Sequence, residues 1–522
     1  MTDYHGCRTV SELIRRQANE RPDAIALVHH ESAISYGELD ARAKQIAHAL
    51  IAMGLRSQDR VAYLGKDSDL YFELLFGAAA ANVVLVPVNW RLAPAELASL
   101  LRDVEAKILF AGQGFCAIAA SLGVPGLDRF ISMGEAYPGW VQFEEWRNAQ
   151  HLHDPGISVA PDDTALQLYT SGTTGLPKGV ELTNTNILTL LNCYEAHDVM
   201  RLTCKDVSLV CLPVFHIAGT GVGLLCLAQG AQTVVLEEVS VAGIVDAISR
   251  YRVNSLVLVP AVILMLVQHA ESVPTDFGCV RCLVYGASPI AEDVLLRAMR
   301  VFPNAGFRQV YGSTESSAVA TSSTPNLHDF KRGKLRSCGQ PYPGIGVRVV
   351  DPNGQSLPPG EVGEIVIHGP CTMKGIWKNP EATREAFFEG GWLRSGDAGY
   401  FDDEGFLYIH DRVKDMIITG AENVYPAEVE NALFGHPAVA DVAVIGVPDS
   451  RWGEAVKAII VLKPGKQATP DDIIAYARER IAGYKLPKSI DFVAALPRNP
   501  TGKVLRRELR APFWQDRSRQ VS

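Results

Sequence analysis

The chain has 522 residues, 47% of them hydrophobic, and a formal net charge of −9 at pH 7. A chain of this length is too long for one compact core, so we expect two or more domains, and the hydrophobic content is ample to build them. The acidic balance argues against nucleic acid or an anionic membrane surface as the principal partner.

The start of the chain and the length of its apolar runs indicate where in the cell the protein is expected. Residues 1–5 show no basic stretch leading into an apolar run, so no secretory signal is indicated. The longest apolar runs, such as Leu256–Val267, are shorter than a membrane span. We therefore expect a cytoplasmic protein without an integral membrane segment, and both a monomer and a homodimer remain open.

The ten cysteines lie mostly inside apolar runs, which is typical of buried free thiols in a reducing compartment. Cys279 and Cys282 form a C-x-x-C pair, which raises the question of a metal or redox site. No second pair at zinc spacing accompanies it, and it leads directly into an apolar run, so the start of a strand is favoured. No other cluster of metal ligands is visible in the sequence.

Short apolar runs alternate with helix-like segments from residue 25 to about residue 131. The pattern predicts strand Arg60–Leu64, helix Asp67–Ala81, strand Val83–Val88, helix Pro94–Asp103 and strand Lys107–Phe110. The alternation returns later, with strands at 206–212, 232–236, 255–259, 281–285 and 308–311 and helices at 219–228, 241–250, 261–269 and 291–301. Such alternation indicates βαβ units, so we expect an α/β fold of layered, mostly parallel sheets.

Past residue 340 the sequence pattern changes to short β-like runs separated by Gly and Pro. Val347–Val350, a turn at 351–354 and Glu364–His368 predict a β-rich subdomain. After about Asp411 a unit of about a hundred residues mixes a helix at Pro426–Phe434 with strands at 439–447 and 456–462. We predict a large N-terminal domain, residues 1–411, and a small mobile α+β C-terminal domain, residues 412–522.

The segment Tyr169–Val180 reads Tyr-Thr-Ser-Gly-Thr-Thr-Gly-Leu-Pro-Lys-Gly-Val and is predicted to be a loop that joins a strand to a helix at Asn184–His197. Its glycines permit close backbone approach, its hydroxyls donate hydrogen bonds, and Lys178 adds positive charge, which together make a phosphate cradle. It is not a Walker A loop, because the residues flanking Lys178 are Pro and Gly. A flexible surface loop is the alternative interpretation.

Further motifs follow at predicted strand ends or turns. Adenine could stack on Tyr311, Glu315 could hold Mg²⁺, and Asp397 suits a ribose diol. Each motif alone is a weak signal, since such turns are commonly solvated and a lone histidine such as His216 is about as often a satisfied core side chain. In chain order the motifs are Pro213-Val-Phe-His216, Gly286-Ala-Ser-Pro289, Tyr311-Gly-Ser-Thr-Glu315, Ser395-Gly-Asp397, the run 411–420 and Asn499-Pro-Thr-Gly-Lys503.

In this order the set resembles the adenylate-forming superfamily, and most closely its fatty-acyl- and aryl-CoA synthetases. The resemblance runs from about Val10 to Leu509 and implies ATP, Mg²⁺ and coenzyme A as cofactors. It also implies that the cofactor-binding residues are Thr170, Ser171, Gly172, Thr173, Thr174, Gly175, Gly286, Ala287, Ser288, Tyr311, Gly312, Thr314, Asp397, Arg412, Lys414 and Gly420.

The same resemblance implies four catalytic residues. Lys178 belongs to the loop that holds the β- and γ-phosphates, and His216 lies at the mouth of the acyl pocket. Glu315 is the implied metal ligand and holds Mg²⁺. Lys503 reaches from the small domain to the carboxylate and the α-phosphate, and Lys414 falls at the hinge between the domains. Two departures from the family pattern are Ser395, where Thr is more common, and Ala421, in a region that is often rich in glycine.

The implied reaction is ATP-dependent activation of a carboxylic acid to acyl-AMP, followed by transfer of the acyl group to coenzyme A. A stand-alone adenylation enzyme that loads a carrier protein would share every motif, and a luciferase-like oxidase would share most. An adenylate-binding pseudoenzyme is an alternative of another class. The presence of Lys178, Glu315 and Lys503 argues against it.

The acyl pocket is expected between the stretches 216–221, 259–262 and 316–318, which contain no lysine, arginine or aspartate. Amino acids should be rejected, because their ammonium group would need a buried carboxylate partner. Small residues at Gly219, Gly221 and Ala318 indicate room for a long chain or a ring. We therefore expect a medium- or long-chain fatty acid, with a hydroxycinnamate- or benzoate-like aryl acid as the alternative.

Overall fold

The computed structural model describes residues 3–171, 177–288, 290–324, 333–412, 415–419, 422–449, 452–498 and 504–514. In these residues the chain forms layered sheets flanked by helices, so the predicted α/β class is confirmed. None of the described helices is long and apolar enough to cross a bilayer.

The amino-terminal part alternates helices and strands, as predicted. The predicted strand Arg60–Leu64 is confirmed at the same bounds. The elements are α1 (Val10–Glu20), β1 (Ile25–His29), β2 (Ser32–Ser35), α2 (Tyr36–Ala52), β3 (Arg60–Leu64), α3 (Asp69–Ala80), β4 (Val84–Val88), α4 (Pro94–Val104), β5 (Ile108–Ala111), α5 (Cys116–Ser121), β6 (Phe130–Ser132), β7 (Val141–Gln142) and α6 (Phe143–Asn148).

The middle of the chain continues this pattern. Its elements are β8 (Thr164–Ser171), β9 (Pro177–Thr183), α7 (Asn184–Ala196), β10 (Val207–Val210), α8 (Ile217–Ala228), β11 (Gln232–Val235), α9 (Val241–Tyr251), β12 (Ser255–Leu258), α10 (Pro260–Ser272), β13 (Cys282–Gly286), α11 (Glu292–Val301), β14 (Gly306–Tyr311), β15 (Thr321–Ser322) and β16 (Gln340–Pro341).

The remainder is richer in strands. Its elements are β17 (Gly346–Val350), β18 (Gly363–His368), β19 (Gly375–Ile376), α12 (Pro380–Glu385), β20 (Phe387–Phe388), β21 (Trp392–Phe401), β22 (Leu407–Arg412), β23 (Ile417–Thr419), β24 (Glu422–Val424), α13 (Pro426–Phe434), β25 (Val439–Asp449), β26 (Gly453–Leu462), α14 (Pro470–Arg478), β27 (Ser489–Phe492) and α15 (Arg506–Arg510).

Two large sheets form the body of the molecule. The first has the order β16-β15-β14-β13-β12-β10-β11-β1-β2, and its strands from β14 to β1 run parallel. The second has the order β19-β9-β8-β4-β3-β5-β6-β7, and its strands from β8 to β7 run parallel. Parallel strands place their carboxyl ends along one edge of a sheet, where α/β proteins bind ligands.

One apolar core connects these sheets through α3 and α8. Both helices are apolar nearly all round and buried along most of their length, as expected of a helix inside a large domain. They pack closely, since a Cβ atom added to Gly223 of α8 would lie 2.3 Å from the Phe72 ring of α3. This packing fixes the start of α8, where His216 lies.

A third sheet, β17-β18-β21-β20 with β22 paired to β21, forms the predicted β-rich part. A fourth sheet, β24-β23-β26-β25 with β27 paired to β26, lies in the carboxyl-terminal part. The predicted domain boundary between residues 411 and 412 stays a prediction. It falls near the carboxyl end of β22, the last described strand of the third sheet.

The prediction that the glycine-rich loop joins a strand directly to a helix is wrong. β9 intervenes and pairs antiparallel with β8, so the loop connects the two strands of a hairpin before α7 begins. The alternation in β9 explains the strand, because Val180 and Leu182 are buried while Glu181 between them is only partly so. The hairpin places Lys178 opposite Thr170.

The C-x-x-C pair marks the start of a strand, as predicted. Cys282 opens β13, and all ten cysteines of the chain are free thiols. The Cys279 thiol points at the Val253 carbonyl oxygen, 3.3 Å away, and the Cys282 thiol at the Val199 carbonyl oxygen, 3.6 Å away. Both thiols therefore face backbone acceptors and not each other.

Candidate active site

The end of β14 brings Tyr311 to Asp397. The Tyr311 hydroxyl donates a hydrogen bond of 2.8 Å to the Asp397 carboxylate on β21, and Arg412 on β22 lies opposite Asp397 in the antiparallel ladder. Burial and the Asp397 charge raise the pKa of Tyr311 well above its usual value. The phenol therefore stays protonated and orients the carboxylate that the sequence assigns to ribose.

The Ser395 hydroxyl fixes the backbone of Asp397. The Ser395 hydroxyl accepts the Asp397 N–H at 3.0 Å and donates to the Ile365 carbonyl oxygen at 2.6 Å. Both contacts need only a hydroxyl oxygen and its proton. The replacement of Thr by Ser at this position thus keeps the contacts that hold Asp397.

Glu315 faces the hairpin that carries the phosphate loop. It lies in the 3₁₀ turn Thr314–Ser316, and its carboxylate accepts a hydrogen bond of 3.4 Å from the Thr170 hydroxyl at the end of β8. The Glu315 carbonyl oxygen accepts the Met373 N–H at 2.8 Å. The turn is therefore fixed from two sides, with its carboxylate beside the residues predicted to bind phosphate.

The hairpin itself rests on a buried ion pair. Arg60 on β3 contacts Glu181 on β9 at 2.6 Å, and its guanidinium lies 3.5 Å from the centre of the Trp377 ring. The backbone N–H of Trp377 donates a hydrogen bond to the Gly179 carbonyl oxygen at 2.7 Å. Lys178, the neighbour of Gly179, is thereby placed on a supported strand with its side chain partly exposed.

Two glycines allow the strands and turns of the site to approach closely. A Cβ atom added to Gly286, the last residue of β13, would lie 2.5 Å from the Val310 carbonyl oxygen. At Gly312 it would lie 2.4 Å from the carbonyl carbon of Ala318. Ala287 follows with φ of +68°, and Ser288 is partly buried. Because Gly286 pairs with Val310, these two residues follow β13 at the edge of the sheet where Tyr311 ends β14.

His216 caps the start of α8, where its carbonyl oxygen accepts the Gly219 N–H at 3.0 Å. Its ring centre lies 4.6 Å from that of Phe215. The preceding turn is held in place by the Val214 N–H, which donates to an oxygen of the buried Asp67 carboxyl group at 3.0 Å. His216 is partly buried and sits beyond the end of β10, in the same sheet as Gly286 and Tyr311.

Several predicted site residues lie outside the described part of the chain. These are Gly172, Thr173, Thr174, Gly175, Lys414, Gly420 and Lys503. For Ser171 and Arg412 the structure describes the backbone only. The structure pairs Thr170 with Glu315 and Tyr311 with Asp397, and only three residues separate Tyr311 from Glu315 in the chain. It places Lys178 in the same hairpin as Thr170.

Segment 371–377 is part of the site's framework that the sequence pattern did not indicate. Met373 holds Glu315, Trp377 holds the hairpin, and the Cys371 carbonyl oxygen accepts the Ser317 hydroxyl at 2.9 Å. Behind the hairpin the Tyr169 hydroxyl donates to Asp103 at 2.5 Å. No spacing rule links residue 373 to residue 315, so only the fold could reveal these contacts.

Two family models match this chain. The AMP-binding enzyme model matches residues 14–377, and the model of the AMP-binding enzyme C-terminal domain matches residues 428–503. The first match alone covers more than half of the chain. The chain belongs to the AMP-binding enzyme family.

Individual members of the family resemble the chain over nearly its whole length. It is 38% identical over 519 residues to a fatty acid–[acyl-carrier-protein] ligase of Streptomyces coeruleorubidus, covering 99% of this chain and 98% of the relative. It is 38% identical over 499 residues to a feruloyl-CoA synthase of an Amycolatopsis species, covering 95% and 98%.

The fold also matches a solved member of the family. The structure of o-succinylbenzoate CoA synthetase from Bacillus subtilis, in complex with its acyl-adenylate intermediate, superimposes with a TM-score of 0.83 at 30% identity. The match covers 95% of this chain and 97% of that one. Together these comparisons identify an acid–thiol ligase of the acyl-CoA synthetase type.

Proposed function

We propose that this enzyme uses ATP and Mg²⁺ to convert an apolar carboxylic acid to its acyl-AMP and then transfers the acyl group to coenzyme A. Two contacts made by the segment 311–315, Thr170 with Glu315 and Tyr311 with Asp397, carry the proposal. A carboxylate for ribose and a carboxylate beside the phosphate loop suit a bound nucleotide, and the family match gives that nucleotide as an adenylate.

In the first step an oxygen of the substrate carboxylate attacks the α-phosphorus of ATP, and the bond to pyrophosphate breaks. Two anions meet in this step, so positioned positive charge is required. Lys178 supplies it near the β- and γ-phosphates, and Lys503 supplies it near the reacting oxygen. In the second step the thiol sulfur of coenzyme A attacks the acyl carbon, and AMP leaves.

The residues around Glu315 fit a magnesium ion. Mg²⁺ prefers hard oxygen ligands and takes one or two carboxylates together with substrate phosphates. The Glu315 carboxylate and the Thr170 hydroxyl, 3.4 Å apart, offer such oxygens at the end of the hairpin. When bound there, the ion would neutralise charge that builds up on the phosphate oxygens.

A medium- or long-chain fatty acid is the substrate that we propose first. The stretches expected to line the acyl pocket contain no lysine, arginine or aspartate, so an aliphatic chain meets no unpaired charge there. The name of the relative from Streptomyces coeruleorubidus, a fatty acid–[acyl-carrier-protein] ligase, supports this choice and raises a carrier protein as an alternative acceptor.

An aryl acid is the second candidate, because two of the small residues expected to make room for a long chain face packed neighbours. A Cβ atom at Gly219 would lie 2.3 Å from the Leu212 carbonyl oxygen, and one at Gly221 would lie 3.0 Å from a methyl carbon of Leu190. These glycines thus serve the packing of α8. A shorter pocket beside the Phe215 ring would suit a flat acid such as ferulate, in keeping with the feruloyl-CoA synthase relative.

Two assays on the purified protein separate these possibilities. ATP–pyrophosphate exchange and coenzyme A consumption are measured with acids from acetate to palmitate and with benzoate and ferulate. For a fatty-acid enzyme we expect kcat/KM to rise roughly fourfold per buried methylene, which corresponds to about 0.8 kcal/mol each. A maximum at ferulate or benzoate would establish the second candidate.

Two further results would change the proposal in other ways. If the thioester forms faster with holo-acyl carrier protein than with coenzyme A, the carrier protein and not coenzyme A is the acceptor. Absence of pyrophosphate exchange with every acid, in protein that still binds AMP, would overturn the activity itself.

A further inference from the structure

The carboxyl ends of β1 and β11 bring together a histidine pair and a glutamate. The two strands are parallel, with His29 opposite Val235, so the residues that follow them share one edge of the first sheet. One ligand atom each of His29, His30 and Glu237 lies within 4.8 Å of those of the other two. The sequence pattern missed this group, because 207 positions separate His30 from Glu237.

The contacts of His29 hold its ring in place and leave one ring nitrogen without a partner among the described residues. Its side chain is only 12% exposed, and its Nδ1 lies 3.0 Å from the Asp69 carboxylate. A carboxylate can only accept, so Nδ1 donates this hydrogen bond and Nε2 is the nitrogen left to bind a metal ion. Nε2 is buried and has no hydrogen-bond partner among the described residues. A carboxylate behind a histidine with a free nitrogen is a typical arrangement at metal sites.

The other two members can adjust around His29. The His30 side chain is 66% exposed and the Glu237 side chain 40%, and His30 Nε2 lies 3.0 Å from Glu237 Oε1. By the same reasoning His30 Nε2 donates this hydrogen bond, so a metal ion bound there would take the place of its proton. Tetrahedral Zn²⁺ with bonds of 2.0–2.1 Å needs ligand atoms about 3.4 Å apart. The three ligand atoms lie within 4.8 Å of one another, so their separations would have to shorten by at most about 1.4 Å, through movement of the exposed side chains. His30 also borders an open cleft of about 430 Å³, which gives an ion a path from solvent.

The charges around the group favour a cation. Asp69, Glu237 and Glu238 contribute three carboxylates. Two cations lie nearby. Lys66 lies 2.6 Å from Glu238 and 3.8 Å from Glu237, so Glu238 takes up most of its attraction, and Arg91 also interacts with Glu238. Glu237 therefore makes no close ion pair with Lys66, and its Oε2 can turn to a metal ion.

We propose that His29, His30 and Glu237 bind one Zn²⁺ ion per chain, with water completing the coordination. Two imidazoles and one carboxylate suit zinc better than Mg²⁺, which prefers oxygen ligands. The group lies at β1 and β11, and β11 is four strands away in the first sheet from β14, the strand that precedes Glu315. A bound ion would join the ends of β1 and β11 to the start of α3, where Asp69 lies.

Zinc titration of the full-length, untagged protein tests this site. Calorimetry in a non-chelating buffer without ATP measures the Kd and the stoichiometry, and the visible absorption of bound Co²⁺ reports tetrahedral coordination. We expect one site per chain and a rise in Tm on adding Zn²⁺. His29→Gln and His30→Gln should each weaken binding by more than about 100-fold, and Asp69→Asn by about 10- to 100-fold through loss of orientation.

Two control variants make the result specific. His151→Gln removes a histidine that lies near His48 and His153 but outside this group, and it should leave the Kd unchanged. Cys204→Ser removes the one cysteine of the ten that is exposed, and it should also leave the Kd unchanged. His30 is exposed, so His30→Gln should fold normally, which a wild-type Tm in EDTA would verify.

Three outcomes would overturn the proposal. They are a wild-type Kd for Zn²⁺ weaker than about 1 mM, binding that survives both histidine substitutions, and binding that disappears in Cys204→Ser.

Discussion

Asp67 is a buried carboxyl group whose ionisation opposes folding. It is 2% exposed, one oxygen accepts the Val214 N–H, and the other has no hydrogen-bond partner among the described residues. Burial raises the pKa of Asp67 well above its usual value and outweighs the Val214 hydrogen bond and the Arg91 charge, which lower it. The folded state therefore holds a proton that the unfolded chain releases near pH 4.

This proton makes the stability of the protein depend on pH in a defined direction. As the pH rises from about 4 towards the raised pKa, the unfolded state gains stability from ionisation and the folded state does not. Asp67→Asn keeps an acceptor for Val214 and removes the proton. We expect the Tm of the variant relative to wild type to increase steadily over this pH range.

The control for Asp67 is Asp403→Asn at an exposed position. It should show no comparable trend in Tm with pH. A constant difference in Tm between Asp67→Asn and wild type from pH 4 to pH 8 would contradict the assignment.

Lys503 is a residue whose proposed role depends on the half-reaction. The resemblance places it at the carboxylate and α-phosphate during adenylation and away from the site during thioester formation. Lys503→Ala should lower the rate of acyl-AMP formation by about 10²–10³, the typical loss when one such electrostatic contact is removed, and spare transfer from supplied acyl-AMP.

Lys466→Ala, an exposed lysine of the same predicted domain, is the matched control and should leave both half-reactions unchanged. Single-turnover measurements of each step check the prediction. Equal damage to both steps in Lys503→Ala would remove the assignment.

At the scale of elements, the hairpin β8–β9 depends on the buried pair of Arg60 and Glu181, whose side chains are 9% and 14% exposed. Arg60→Ala would leave the mostly buried Glu181 carboxylate without this partner, and loss of one member of a buried pair costs about 3–5 kcal/mol. We expect the free energy of unfolding of the large domain to fall by about this amount in a urea titration.

The exposed pair Arg384 and Glu381, 3.9 Å apart, gives the comparison for the hairpin. Arg384→Ala should change the free energy of unfolding by less than about 1 kcal/mol. A cost for Arg60→Ala no larger than this would show that the ion pair does not hold the hairpin. A raised KM for ATP at a temperature where Arg60→Ala is folded would link the hairpin to the phosphate loop.

The elements that the sequence predicted well are those with a local signal. α13 occupies its predicted bounds, because Pro426 opens it and an apolar face follows. β9 was missed because its pairing with β8 is set by distant contacts, including Arg60 on β3 and the Trp377 backbone. In the same way the motifs named Glu315 and Thr170 separately, but their contact and the support from Met373 needed the fold.

At the scale of the whole molecule, the chain passes from the third sheet to the fourth between β22 and β23. After β22, contacts with the C-terminal part of the chain begin at Asp415. Its carboxylate forms an ion pair with Arg510 at 2.5 Å and lies 3.7 Å from Arg506. These contacts tie residue 415 to α15 and leave little chain between Arg412 and Asp415 to absorb a rotation. They support placing the hinge at Lys414, which itself lies outside the described residues.

A rotation about Lys414 would let one chain run two half-reactions with different faces of the small domain, and substitution at this residue tests that idea. Lys414→Pro fixes φ near −65° and should hinder rotation, so we expect acyl-AMP formation to persist while transfer to coenzyme A slows by about tenfold or more. Lys414→Ala removes the side chain but leaves the backbone free, and it should slow transfer far less. Rapid-quench measurement of acyl-AMP and thioester separates the two steps. Unchanged transfer in Lys414→Pro, or equal loss in both variants, would place the hinge elsewhere, because only a backbone effect distinguishes proline from alanine here.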